Sequence, residues 1–198
     1  VGERCGQNSC VGSDDDPILQ FDRDGNVINS FGAGMIDWPH GIFVDKENNI
    51  WITDAACPGC SNAPRNQGKL GHQIIKFSSE GEVLMTLGKP GVKGDGNYEF
   101  NMPSDVLVAP NGDIFATGRF YESISFGSIS LTSTGYYDTW VAKLSANGQW
   151  VWAEALRGNG DYDGTLVTSI DWIQSTSITT DFGSVQIIYD GTNKWLII

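Results

Sequence analysis

A histidine at the start of an alternating apolar strand is the strongest chemical signal in the chain. Residues 38–45 read Trp-Pro-His-Gly-Ile-Phe-Val-Asp, and residues 50–54 resume the apolar pattern after a polar turn. Alternating apolar residues on both sides of such a turn predict two short antiparallel strands. His40 therefore opens a strand, where a neutral imidazole serves either as a metal ligand or as a hydrogen-bonded strand-start residue.

The number of histidines limits what metal chemistry the chain can do by itself. The full sequence contains two of them, His40 and His72. A catalytic zinc ion normally takes three protein ligands and a water molecule. No Ser-His-Asp or Cys-His motif spacing accompanies either histidine. The chain alone therefore falls short of a zinc site built from three histidines.

Four cysteines form two close pairs, Cys5 with Cys10 and Cys57 with Cys60. An even number in a glycine-rich, acidic chain favours two local disulfides in an oxidising compartment, so we expect an extracellular or periplasmic location. The Cys-Pro-Gly-Cys motif is alternatively a redox motif or half of a zinc site. Against these alternatives, no second Cys-x-x-Cys follows, and the strand-to-helix setting of thioredoxin-like motifs is missing.

Hairpins of two kinds alternate along the chain and must position these residues. The segment 103–116 repeats 39–52, while 72–84 and 140–151 both echo 18–28. Two hairpins per unit make a four-stranded blade, and glycine-containing turns in units of this length indicate a β-propeller. A solenoid or a sandwich is the alternative. We expect an all-β fold, a β-propeller-like array of four-stranded antiparallel blades.

Strand counting predicts that this array is open or incomplete. It gives a hairpin at 18–32, a blade at 39–88, a blade at 103–153 and a terminal hairpin near 184–198. That is about three blades, whereas propellers typically close with about four to eight. Open sheet edges invite association. We expect the terminal hairpin either to pair with the first hairpin or to leave edges through which the chain self-associates.

The amino-acid composition agrees with a β-rich fold and limits the classes of binding partner. The chain has 25 glycines and a net charge of −12, which argues against nucleic acid or anionic membranes as partners. No apolar run is long enough to span a bilayer. A protein or peptide ligand stays open as a partner. Because the first residue is Val rather than Met, we expect a processed, trimmed or partial chain.

Ordered motifs over residues 4 to about 118 resemble NHL-repeat β-propellers, specifically the branch of peptidyl-α-hydroxyglycine α-amidating lyase. The matching segments are 4–6, 17–22, 31–34, 38–45, 50–54, 71–77, 87–91 and 102–106. So many motifs in one order make the resemblance specific over this part of the chain.

The resemblance implies an enzyme that removes glyoxylate from a peptidyl-α-hydroxyglycine, with zinc held by three histidines and calcium nearby. It implies that His40 is the first zinc ligand and that Ile42 lends a backbone carbonyl to calcium. It also implies that Arg4 is a catalytic arginine. The family's catalytic tyrosine falls on Phe120, so that the neighbouring Tyr121 is the candidate.

Beyond Gly118 the repeat changes, and residues 119–155 resemble a β-repeat of large bacterial surface proteins. We predict that 1–118 holds NHL-type blades, that 119–172 continues the array with the second repeat type, and that 173–198 is a terminal β-hairpin. In the second repeat, Trp150 and Trp152 alternate along one strand. This alternation predicts that both side chains pack on one face of the sheet.

Two functional classes follow. The first is an extracellular NHL-repeat scaffold or fragment, related to the amidating lyase but without a complete catalytic site. The alternative is a zinc-dependent amidating-lyase-like enzyme that releases glyoxylate, with further zinc ligands supplied from elsewhere. His72 lies in a His-Gln-Ile-Ile-Lys-Phe setting that the family uses structurally, so the missing ligands favour the scaffold.

Overall fold

The computed structural model describes residues 1–156, apart from 3, 7, 95–98 and 135–136, and the backbone of strands at 187–189 and 195–197. Helix in this part of the chain is limited to a 3₁₀ turn, Pro64–Asn66. The predicted all-β fold is confirmed. The strands are β1 (Ile18–Phe21), β2 (Val27–Phe31), β3 (Pro39–Val44), β4 (Ile50–Asp54), β5 (Gln73–Phe77), β6 (Val83–Gly88), β7 (Pro103–Val108), β8 (Ile114–Phe120), β9 (Ser123–Phe126), β10 (Ile129–Thr132), β11 (Asp138–Leu144), β12 (Trp150–Leu156), β13 (Ile187–Tyr189) and β14 (Trp195–Ile197).

The first predicted blade is an antiparallel sheet in the order β3-β4-β5-β6. The turn between β3 and β4 is built by Asp45, whose Oδ1 accepts the backbone N–H groups of Glu47 at 3.0 Å and Asn49 at 2.9 Å. Burial acts to raise the pKa of Asp45, but hydrogen bonds from Trp51 and Asn49 and the charge of Lys76 outweigh it and hold the pKa at about 2. The turn chemistry read from the sequence thus fixes the register of the hairpin.

The same turn geometry recurs at one end of the strands. In each case the first residue donates its N–H to the carbonyl of the fifth residue, at 2.8 to 2.9 Å. These turns begin and end at Asp22 and Asn26, Asp45 and Asn49, Ser78 and Glu82, Ala109 and Asp113, and Ser145 and Gln149. The connections at the opposite end, where β3 and β7 begin, are longer and differ from one another.

The second predicted blade is a sheet in the order β7-β8-β11-β12, and the hairpin β9-β10 is inserted between its second and third strands. This hairpin buries Ile124 and Phe126, and the Phe126 ring lies 5.1 Å from the Trp140 ring between centroids. The predicted domain boundary at residue 118 falls within β8. A change of repeat type at that point stays a prediction, and it would occur inside one sheet.

The two tryptophans of β12 do not share a face as predicted. Trp150 pairs with Leu144 while Trp152 pairs with Lys143, so Val151 is an extra residue in a β-bulge. Trp150 therefore packs in the core that contains Trp140, whereas Trp152 packs with a second cluster around Phe115. A bulge shifts the alternation of side chains by one residue, and the same shift occurs in the two echoing hairpins, where Ile28 and Leu84 are the extra residues.

The two sheets share one core, and their first strands, β3 and β7, approach closely. The core contains buried side chains from both sheets and from the segment before β7, including Trp51, Ile74, Phe100, Val106, Phe120 and Trp140. At the contact between first strands, a Cβ atom built on Gly41 would lie 2.6 Å from the Asp105 Cα and 2.7 Å from the Ser104 carbonyl oxygen. Only a residue without a side chain fits there.

Replacing Gly41 with alanine is expected to destabilise the protein by about 2 kcal/mol, because the added methyl group must push β3 and β7 apart. Urea unfolding at neutral pH measures the effect. Gly2→Ala is a matched control, since its Cβ would meet only the Ile52 Cδ1 at 3.7 Å. Equal stabilities of the two variants would contradict the close approach of the strands.

The remaining strands form separate hairpins at the two ends of the chain. β1-β2 and β13-β14 are two-stranded sheets of their own, so the predicted pairing of the terminal hairpin with the first hairpin is not observed. Gly2 makes an isolated bridge with Ile18 along the edge of β1. No sheet closes on itself in the described ranges, in agreement with an incomplete propeller-like array. Self-association through open edges stays a prediction.

Among the described residues, no helix has the length and apolar character needed to cross a membrane.

Candidate functional site

The candidate site lies where β3 begins and β4 ends, and a buried carboxylate shapes it. Asp54, the last residue of β4, accepts the backbone N–H groups of Asp37 at 3.0 Å, Trp38 at 2.8 Å and Ala56 at 3.3 Å. Burial raises the pKa of Asp54 and that of Asp37, whose own carboxylate accepts the Leu70 N–H at 2.8 Å. These bonds fix the direction in which residues 37–40 enter the strand.

His40 is held by the neighbouring sheet. Its Nδ1 lies 2.8 Å from the carbonyl oxygen of Ser104, the second residue of β7. Because a carbonyl oxygen can only accept, Nδ1 carries the hydrogen and the lone pair is on Nε2. Burial lowers the pKa of His40, the Ser104 bond opposes this, and the charge of Arg4 lowers it further. His40 is therefore a neutral imidazole with one nitrogen available to a ligand.

Arg4 lies beside His40, and its implied catalytic role stays a prediction. Its Nε donates to the Pro39 carbonyl oxygen at 3.3 Å, and its Nη1 donates to the Asn8 Oδ1 at 2.7 Å. The N-terminal segment is tied down by the Cys5–Cys10 disulfide and by the bond from the Cys10 N–H to the Asp37 carbonyl oxygen at 2.8 Å. The fold thus brings together two residues that are far apart in the sequence.

Tyr121 and Ile42 lie apart from this pair. The Tyr121 ring packs edge-on against Tyr137 and lies under the Lys93 ammonium group, 3.4 Å from the ring centroid. Ile42 pairs with Ile52 in the middle of its hairpin, and its side chain lines an apolar cavity of about 580 Å³ beside β1. Their implied roles in catalysis and in calcium binding stay predictions.

His72 sits inside the fold. It is 1 % exposed, has a backbone φ of 57°, and accepts the Met102 N–H at its Nδ1 over 3.1 Å. Burial and, to a lesser degree, the charge of Lys93 lower its pKa to about 4. The imidazole thus joins the start of β5 to the segment before β7.

The described residues do not fit a zinc centre. No group of three or more His, Cys, Asp or Glu side chains in this part of the chain is arranged to hold a metal ion. All four cysteines are paired, Cys5 with Cys10 and Cys57 with Cys60, as predicted. The Cys-Pro-Gly-Cys motif is therefore a disulfide loop in this structure.

Sequence reasoning missed the environment of Trp38. Its indole is flanked by two guanidinium groups, with the Arg65 Cζ 4.3 Å and the Arg4 Cζ 5.2 Å from the ring centroid. The indole Nε1 donates to the Asn8 Oδ1 at 3.3 Å, and the His40 ring meets it edge-on at 5.3 Å. The signal that could have found Arg65 is its position in a disulfide-bonded loop directly after the strand that ends at the site.

Comparisons with known proteins agree with this architecture. The chain is 32 % identical over 107 residues to a probable peptidyl-alpha-hydroxyglycine alpha-amidating lyase of Caenorhabditis elegans, covering 54 % of this chain and 27 % of the relative. It is 26 % identical over 187 residues to the human NHL repeat-containing protein 3, covering 90 % of this chain and 47 % of the relative. A Drosophila melanogaster peptidyl-alpha-hydroxyglycine alpha-amidating lyase 1 is 32 % identical over 99 residues, covering 48 % and 16 %. No family model matches the chain.

The chain thus spans less than half the length of these relatives. Its sheets define a repeat protein of the propeller-like class, built from four-stranded antiparallel units. More narrowly, the homologues support an NHL-repeat, amidating-lyase-like family for the chain.

Proposed function

We propose that this chain is part of an extracellular NHL-repeat scaffold, related to amidating lyases, that presents the end around Arg4, Trp38 and His40 to a protein or peptide ligand. The proposal rests on the hydrogen bonding and burial of the two histidines. His40 offers one ring nitrogen, and His72 is a buried structural residue whose Nδ1 accepts a backbone N–H. Among the described residues no second ligand lies beside the His40 imidazole, whereas a catalytic zinc ion normally takes three protein ligands, which favours a role in recognition.

The extracellular part of the proposal rests on the two disulfides. Disulfides persist in oxidising compartments and are rare in the cytosol of ordinary cells. Both close short loops at the proposed ligand-facing end, Cys5–Cys10 beside Arg4 and Cys57–Cys60 beside Arg65. An oxidising compartment therefore preserves the shape of this surface.

A specific observation favours a second candidate, a zinc-dependent amidating lyase. The Nδ1–H of His40 donates to a backbone carbonyl and leaves the Nε2 lone pair open, which is the arrangement that commonly orients a metal-binding histidine. Arg4 lies next to it, where a cation could stabilise developing negative charge. In this case the other zinc ligands would come from polypeptide outside this chain.

Glyoxylate release and bound zinc separate the two candidates. We expect the purified chain, made under oxidising conditions, to release no glyoxylate from a peptidyl-α-hydroxyglycine above the buffer level, with or without added zinc. We also expect substoichiometric zinc after gel filtration, with the same value in His40→Ala. Zinc-stimulated turnover that disappears in His40→Ala, while the circular dichroism spectrum is unchanged, would replace the scaffold with the lyase.

A further inference from the structure

Arg65 lies in a loop that brings its guanidinium group to Trp38 of the candidate site. The loop connects β4 to β5, and its Cys57 N–H donates to the Asn66 Oδ1 at 3.1 Å. Asn66 is buried, and its carbonyl oxygen accepts the Gly59 N–H at 3.0 Å. With the Cys57–Cys60 disulfide and the bond from the Leu70 N–H to Asp37, these contacts hold the 3₁₀ turn that carries Arg65.

The guanidinium groups of Arg65 and Arg4 have aromatic and neutral neighbours but no carboxylate partner among the described residues. The ion pairs in this part of the chain all involve lysines, namely Lys46, Lys76, Lys93 and Lys143. Among the described residues, the acceptors of Arg4 are a backbone carbonyl and an amide oxygen. The nearby carboxylates of Asp37 and Asp54 are buried and accept backbone N–H groups. Two cations thus flank a half-exposed indole in a chain whose net charge is −12.

We propose that Arg65 and Trp38, with Arg4 beside them, form a recognition surface for a carboxylate group of a peptide ligand. An arginine side chain presents parallel N–H donors in a rigid plane that matches a carboxylate, and stacking on an aromatic ring holds that plane in place. The half-buried indole supplies apolar contact for the residue that bears the carboxylate. Arg65 is then the specificity-determining residue of the loop. The inference rests on the proposed peptide ligand.

The carboxylate can come from the C-terminus of the peptide or from an acidic side chain, and three dansyl-labelled peptides separate these sources. They are Ala-Ala-Phe-Gly with a free C-terminus, the same peptide with a C-terminal amide, and the amide with Glu in place of the first Ala. Fluorescence anisotropy gives the Kd of each peptide for the whole chain. We expect the free acid or the Glu peptide to bind about tenfold more tightly than the plain amide, as hydrogen bonds to a charged group allow.

Variants at Arg65 test the assignment against general electrostatic attraction. Arg65→Gln is expected to remove the roughly tenfold preference, while Arg65→Lys keeps only part of it because lysine lacks the planar fork. Arg119→Gln is the matched control, since Arg119 also stacks on an aromatic ring, Tyr137, with its Cζ 4.2 Å from the centroid. Circular dichroism checks that each variant is folded.

Equal affinities for all three peptides, no binding of any peptide, or equal losses in Arg65→Gln and Arg119→Gln would each overturn the assignment. Glyoxylate release instead tests whether the chain is a scaffold or a lyase. The two proposals therefore fail in different experiments.

Discussion

Replacing Asp54 with alanine is expected to lower the free energy of unfolding by about 3 kcal/mol. The substitution leaves the N–H groups of Asp37, Trp38 and Ala56 without their acceptor in a position where Asp54 itself is 0 % exposed. A buried donor that loses its partner costs about 1 to 3 kcal/mol. Three such donors together cost about 3 to 9 kcal/mol. Removing a buried charge beside Asp37 offsets part of this cost, so the expected loss lies near the lower value. Urea unfolding followed by circular dichroism measures it.

Two further variants sharpen this prediction. Asp54→Asn keeps one acceptor oxygen but turns an NH₂ group toward backbone donors, so its stability should lie between those of the wild type and Asp54→Ala. Asp24→Ala, in an exposed turn, is the control for loss of an aspartate and should change the stability by less than about 0.5 kcal/mol. A loss in Asp54→Ala no larger than in Asp24→Ala would show that the carboxylate does not organise the start of β3.

Lowering the pH from 7 to 5 is expected to cost the folded protein about 2 kcal/mol through His72 alone. The pKa of His72 is about 4 in the folded state, compared with 6.5 for an unperturbed histidine. In the unfolded chain His72 is therefore protonated below pH 6.5, whereas in the folded chain it stays neutral down to about pH 4. The stability that His72 contributes is complete above pH 6.5 and is lost as the pH falls toward 4.

The effect of His72 is isolated by comparison with His72→Asn. Asparagine does not titrate, and it tolerates the left-handed backbone at this position, where φ is 57°. The raised pKa values of Asp37 and Asp54 act in the opposite direction, because the folded protein takes up their protons first, but they are common to both proteins. The difference in urea stability between pH 7 and pH 5 should therefore be about 2 kcal/mol larger in the wild type. Identical pH dependence in the two proteins would contradict the buried, neutral imidazole.

The strand order could be predicted because the signals are local. Apolar alternation and turn residues such as Asp45 and Gly112 specify each hairpin within about a dozen residues, and repetition of the hairpins extends this to sheets. The bulge at Val151 was missed, although the three echoing hairpins share it and have Ile28 and Leu84 at the corresponding positions. The insertion of β9-β10 was missed because it has no counterpart in the first sheet.

The candidate site likewise contains residues that could be predicted from the sequence and contacts that could not. Alternation placed His40 at the start of a strand, and the resemblance placed Arg4 in the same site, where the structure has them side by side. The stacking of Arg65 on Trp38 depends on the path of the 18-residue loop 55–72, which has no periodic pattern and is longer than most connections in compact domains. The partners of Tyr121 come from the segment between β6 and β7, which carries Lys93, and from the residue before β11, Tyr137. Such contacts form only when separate sheets pack together.

The two ends of the strands differ in how uniform their connections are. At one end a single five-residue turn is repeated, so the hairpins are closed there by the same hydrogen bond. At the other end, the connection 55–72 contains a 3₁₀ turn and the connection 121–137 contains the β9-β10 hairpin, while the strands beside them keep their register. Strand pairing therefore sets where each connection leaves and re-enters its sheet, while buried residues within the connections, such as His72 and Phe126, tie them to the rest of the fold.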